Sequence, residues 1–162
     1  MNQPEKKKIN KPIKKEDKPK IELSIAQITL FIEGLNTIED KPGGLRSYGA
    51  RNLVSHAEFL GSHLNRYGLK TNQIRKFLDA VKRLKVRLIS GESFVDIKSE
   101  IIFLEPKLAY AAARKKQEMK KGDEVNPAQD LSRILTAAIR KVYLEEDFYQ
   151  LVQFVESIVA YH

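Results

Sequence analysis

Ile74, Phe77, Leu78, Val81, Leu84 and Leu88 recur at three- and four-residue intervals, the spacing that lines up side chains on one face of a helix. This stripe predicts a helix capped by Thr71 and ended at Ser90-Gly91. Its opposite side gathers Arg75, Lys76, Lys82, Arg83 and Arg87, diluted only by Asp79 and Val86. The same reading extends along the chain in both directions. Ser24 and Gln27 form a capping box that opens a first helix, with Ile25, Ile28, Leu30, Phe31, Ile32 and Leu35 expected inside. Lys41-Pro42-Gly43-Gly44 breaks it. Leu53, Ala57, Leu60 and Leu64 mark a second helix from about Leu45 to Tyr67, stopped by Gly68.

Downstream of the cationic helix, Ser93 and Asp96 form another capping box. Phe94, Val95, Ile97, Ile101, Ile102, Phe103 and Leu104 follow, a helix expected to be largely buried. Glu105-Pro106 ends or bends it, because a proline disfavours helix at the residue before it. Pro106 to Lys116 then reads as a thin, alanine-rich helix continuing to about Lys121. Lys107, Tyr110 and Arg114 share one of its sides, while Leu108, Ala111, Ala112 and Met119 share another. Asn126-Pro127 starts a further helix, with Leu131, Ile134, Leu135, Ala138, Ile139 and Val142 inward. Asp147 with Gln150 is read as the cap of the last helix, whose inward residues are Phe148, Leu151, Val152, Val155, Ile158 and Val159. No stretch alternates as a strand. The prediction is all-α, a compact bundle of about six helices.

Composition changes this picture mainly at the N-terminus. The chain has 162 residues and a formal net charge of +8. Eight lysines stand against Glu5, Glu16 and Asp17 in residues 1–20, which gives +5 there and +3 (8 − 5) for the rest. Lys, Pro and Glu with few large apolar groups cannot offset their ordering entropy, so residues 1–20 are expected to be a disordered basic tail and 21–162 a single domain. The positive balance favours polyanions as partners. The longest apolar run, Leu108 to Ala113, is far short of the ~20 residues that span a bilayer, so no membrane association is expected and a soluble cytoplasmic protein is the default.

Candidate chemistry is sparse. The absence of cysteine excludes disulfides, thiolate catalysis and cysteine zinc sites. His56 and His63 lie seven apart on one face, whereas a helical metal pair needs a spacing of four and further ligands. Glu145, Glu146 and Asp147 are adjacent carboxylates at a helix N-terminus, where the macrodipole favours them. No nucleotide-binding fingerprint is present, since Gly43-Gly44 lacks the Gly-Lys-Ser/Thr ending. No catalytic residue, metal ligand or cofactor is assigned, and an enzyme is not expected. The cationic sides of the third and fifth helices remain open to three readings: a surface that contacts nucleic-acid phosphates, a merely solvated face paired to acidic neighbours, or a face that docks an acidic protein. Tyr110 is open to stacking on a base or to packing in the bundle.

Three stretches in order resemble one known family: Thr71-Asn72-Gln73-Ile74-Arg75, then Pro106 through Arg114, then Phe154 through His162. They are similar to the small helical subunit of type III-A CRISPR effector complexes, the Csm type, over residues 71–162. Ala113 and Glu105 depart from the family pattern, where glycine and lysine are common. The resemblance implies a non-catalytic subunit that stacks in several copies along the guide RNA–target RNA duplex. Its implied partners are the CRISPR backbone and large subunits and copies of itself. The basic surface of that family maps here onto Arg75, Lys76, Lys82, Arg83, Lys107 and Arg114. With Arg87, Tyr110 and Lys115 beside them, these are the candidate RNA-binding residues.

Overall fold

The computed structural model describes residues 18–38 and 43–162, with side chains from Ser24 onward. Seven α-helices and one 3₁₀ turn make up the described chain, and no strand occurs among these residues. The helices are α1 (Lys18–Asn36), α2 (Ala50–Arg66), α3 (Thr71–Ile89), α4 (Phe94–Ile102), α5 (Leu104–Glu118), α6 (Pro127–Ile139) and α7 (Glu145–Tyr161). The 3₁₀ turn, Leu45–Tyr48, precedes α2. Of the expected tail, residues 1–17 lie outside the described residues. Lys18 to Lys20 open α1, so Ser24 is a buried residue within that helix rather than its cap.

The core is built around α7. Phe148, Leu151, Val152, Phe154, Val155 and Ile158 are all at most 1% exposed, and α2, α3 and the 3₁₀ turn pack on this helix. α5 and α6 form a second layer, and α1 lies against α6. The α3 stripe is buried at every predicted position from Ile74 to Leu88. At Gly61 the backbones of α2 and α7 nearly touch. A Cβ there would sit 2.8 Å from the Tyr161 carbonyl carbon and 2.9 Å from the Ile158 oxygen. Only glycine fits such an approach.

Several helix ends differ from expectation for identifiable reasons. Gly49, at φ +87°, separates the 3₁₀ turn from α2, so the segment from Leu45 to Tyr67 is not one helix. Lys70, not Thr71, occupies the cap of α3, where Gln73 Oε1 accepts its N–H at 3.1 Å. The break between α4 and α5 falls at Phe103 rather than at Glu105-Pro106. A proline ring collides with the carbonyl four residues before it, here that of Ile102, which is where α4 stops. Ser93 Oγ caps α4 through the Asp96 N–H at 3.3 Å, as expected. Asn126 Oδ1 likewise caps α6 through the Gln129 N–H at 3.2 Å, and its amide donates to the Ala112 carbonyl of α5.

Burial also corrects the inward lists. Ile25 and Leu30 on α1 are exposed, as are Val95, Ile102 and Phe103 around α4. Only Ile97, Ile101 and Leu104 of that expected set are buried.

Asp147 is the least expected feature. It is fully buried at the third position of α7, not at the cap. Its carboxylate accepts the backbone N–H groups of Arg46 (2.9 Å), Tyr143 (3.0 Å) and Leu144 (3.0 Å), and the Arg46 guanidinium (3.1 Å). A single side chain thus ties the 3₁₀ turn to the start of α7. Gly44, at φ +62°, lets the chain pass over it, because a Cβ there would lie 2.4 Å from a carboxylate oxygen.

Both helical histidines serve packing. His63 is buried with Nε2 2.8 Å from Asp130 Oδ2. His56 stacks on Phe31 with ring centroids 3.8 Å apart, and its Nε2 lies 3.0 Å from the Tyr48 hydroxyl. Burial lowers the His56 pKa below its ordinary value. The fold therefore favours the neutral ring, while the unfolded imidazole titrates near ~6.5. This group's contribution to stability is complete above about pH 6.5 and is lost as pH falls toward the folded pKa. We expect the unfolding midpoint in urea to drop between pH 7 and 5, and His56→Gln to flatten that slope. A His56 NMR titration midpoint above ~6.5 would contradict the sign.

Candidate nucleic-acid interface

The exposed side of α3 follows from its buried side. With the apolar stripe turned to α7, the helix leaves Arg75, Lys76, Lys82 and Arg83 in solvent, with Asp79 among them. Arg75, Lys76 and Arg83 form no ion pair among the described residues. Lys82 Nζ lies 3.2 Å from Glu156 of α7, an exposed pair that contributes little stability but offsets part of the Lys82 charge.

Arg87 differs from its neighbours. Its guanidinium bonds Glu92, with Nε to Oε2 at 2.7 Å and a second contact from the same fork, and Glu100 of α4 at 2.5 Å. The hydrogen bonds to Glu92 and then to Glu100 raise the Arg87 pKa, and the Arg87 hydrogen bond lowers that of Glu92. Two carboxylates thus offset one charge, and the clamp joins α3 to α4. Sequence reading placed Arg87 with the free cations because Glu92 and Glu100 come from beyond the helix end.

α5 sets its cations across a groove from this face. Lys76, Gln73, Phe77 and Ala80 of α3 form one wall, and Lys107, Tyr110, Ala111 and Arg114 of α5 form the other. The floor comes from Leu69, Leu108, Ala128 and Leu131, all buried, and the groove has a volume of about 310 Å³. Tyr110 is 70% exposed, so its packing role in the bundle is overturned. Ala111 is exposed on the groove rather than buried with Leu108 and Ala112. Arg114 pairs with Glu118 at 3.4 Å one turn along, and Lys107 forms no ion pair among the described residues. Lys115 is half-buried and lies outside the groove lining. Glu105 meets Arg140 of α6 at 3.2 Å. The structure therefore brings Lys76, Lys107, Tyr110 and Arg114 to one groove. Lys76 also belongs to the cationic side of α3, so it joins the two clusters.

Among the described residues no group of three His, Asp or Glu side chains could hold a metal ion, and no helix is long and apolar enough to cross a membrane.

A family model described as Csm2 Type III-A matches residues 47–162, well over half of the chain. The chain belongs to the Csm2 type III-A family. It is thus a small subunit of a type III-A CRISPR Csm complex, working with the other Csm subunits. The Csm2 match reaches back to residue 47 and so takes in α2, where sequence reading found only helical character. α2 carries Gly61, which meets the C-terminal turn of α7. No curated protein and no solved structure gave a significant match.

Proposed function

We propose that this Csm2-family subunit contacts RNA through the exposed cationic side of α3 and the rim of the α5 groove, without catalysing a reaction. In this reading several copies stack along the guide RNA–target RNA duplex, beside the backbone and large subunits, in the cytoplasm. The observation that carries it is the continuity of Arg75, Lys76, Arg83 and Lys107, exposed cations without ion pairs among the described residues. Such groups neutralise phosphates and release counterions, giving affinity without reading sequence. Guide–target pairing supplies the specificity, so the protein needs only backbone contacts and shape.

The test is the salt dependence of binding to single-stranded RNA. Replacing Arg75 and Arg83 together with alanine is expected to flatten the slope of log K against log [salt] by about 1.4, at ~0.7 per lost phosphate contact. Arg87→Ala is expected to leave the slope nearly unchanged, because its charge is already offset. Equal slopes for the double variant and the parent, with helicity intact, would remove these residues from an RNA surface. The competing reading is an adaptor whose basic face docks an acidic protein. Crosslinking in the assembled complex separates the two. RNA adducts at residues 75–87 or 107–115 support RNA contact, and protein adducts alone support the adaptor.

A further inference from the structure

The geometry points to the groove between α3, α5 and α6 as a pocket for one unstacked base of single-stranded RNA, with neighbouring phosphates held by Lys76, Lys107 and Arg114. This rests on the RNA-contacting reading and adds to it what is bound and how. A backbone-tracking surface needs cations only. Here the cations surround an apolar floor, made by Leu108, Leu131 and their neighbours, that phosphates cannot use. A duplex keeps its bases stacked and presents phosphates and sugars, so it would leave this floor in water. An extruded base covers it.

Size and polarity agree. At about 310 Å³ the groove is at the lower end of ligand pockets, room for one flat group and not for a helix. Tyr110 stands exposed on one wall, where its ring is free to stack on a base face. No carboxylate lines the groove, and three cations do, which matches a phosphodiester on either side of the inserted base. Gln73 adds a polar edge. Its Oε1 is engaged by the Lys70 N–H, which leaves its amide N–H₂ to meet a base acceptor.

The experiment compares the full chain binding a ten-nucleotide oligo(rA) and an abasic ribose-phosphate chain of equal length and charge, over a range of salt. The parent is expected to bind oligo(rA) roughly 10-fold more tightly, the range expected for one stacked base. Tyr110→Ala, and Ala111→Leu, which fills the groove from an exposed helical position, should each remove that advantage. Neither should change the affinity for the abasic chain or the salt slope. Equal, salt-dependent binding of both oligomers would overturn the pocket while leaving RNA contact standing. No salt-dependent binding of either would overturn both. Oligo-glutamate binding as tightly as oligo(rA), with the same loss in Tyr110→Ala, would assign the groove to an acidic peptide and overturn the base.

Discussion

Asp147→Ala is expected to be among the most destabilising single changes in this protein, costing about 4 kcal/mol. The substitution strips a fully buried carboxylate from three backbone N–H groups and one guanidinium. Each buried donor left unpaired costs ~1–3 kcal/mol, and breaking a buried charge contact adds to this. A domain of ordinary stability has only ~5–15 kcal/mol to lose. Asp147→Asn keeps one acceptor oxygen but turns an N–H₂ toward a donor, so it should fall between Ala and the parent. Arg46→Ala should cost less than either, since its side chain is a third exposed and the three backbone donors keep their acceptor. Urea unfolding of the four proteins checks the order. An alanine variant within about 1 kcal/mol of the parent would mean that the 3₁₀ turn is not held by this residue.

The second large effect is at Gly61, where the sign of the change carries the information. On an open helical face Gly→Ala stabilises by ~0.5–1 kcal/mol, because glycine gives up more backbone entropy on folding. At Gly61 the new methyl would meet the backbone of α7 at 2.8–2.9 Å, and backbone, unlike a side-chain tip, cannot swing aside. Overpacking of this kind costs ~1–3 kcal/mol, occasionally more. Gly61→Ala is therefore expected to be net destabilising by about 1–2 kcal/mol, and Gly61→Val by about 3 kcal/mol or more. Thermal unfolding with full helical signal at low temperature would measure both. A stabilised Gly61→Ala would show that α2 and α7 do not approach this closely.

How far the sequence carries the fold depends on the range of the signal. The α3 stripe, the Ser93 and Asn126 caps and the effect of Pro106 are local, and all were readable, the last displaced by the four-residue reach of the proline ring. Interactions between distant residues were not. Asp147 and Arg46 are 101 positions apart, and His63 and Asp130 are 67 apart. Nothing in either neighbourhood announces the partner, so Asp147 read as the cap of the last helix. Exposure of apolar residues was misjudged at α4 for a related reason. Ile97, Ile101 and Leu104 have helical spacing, while Val95, Ile102 and Phe103 lie off that line, but a dense apolar run hides which line turns inward. For the candidate interface, the residue types and the two cationic helices were legible. The groove was not, because its walls and floor are assembled from three helices and a loop.

The central place of α7 bears on how the chain is made. The helix that α2, α3 and the 3₁₀ turn all cover is the last of the seven to leave the ribosome, 95 residues (161 − 66) after α2 is complete. At ~5–20 residues per second this is a delay on the order of 5–20 s. During that time Leu53, Leu60, Ile74 and Val81 lack the α7 surface on which their helices pack. The core of the nascent chain therefore closes only after α7 has emerged.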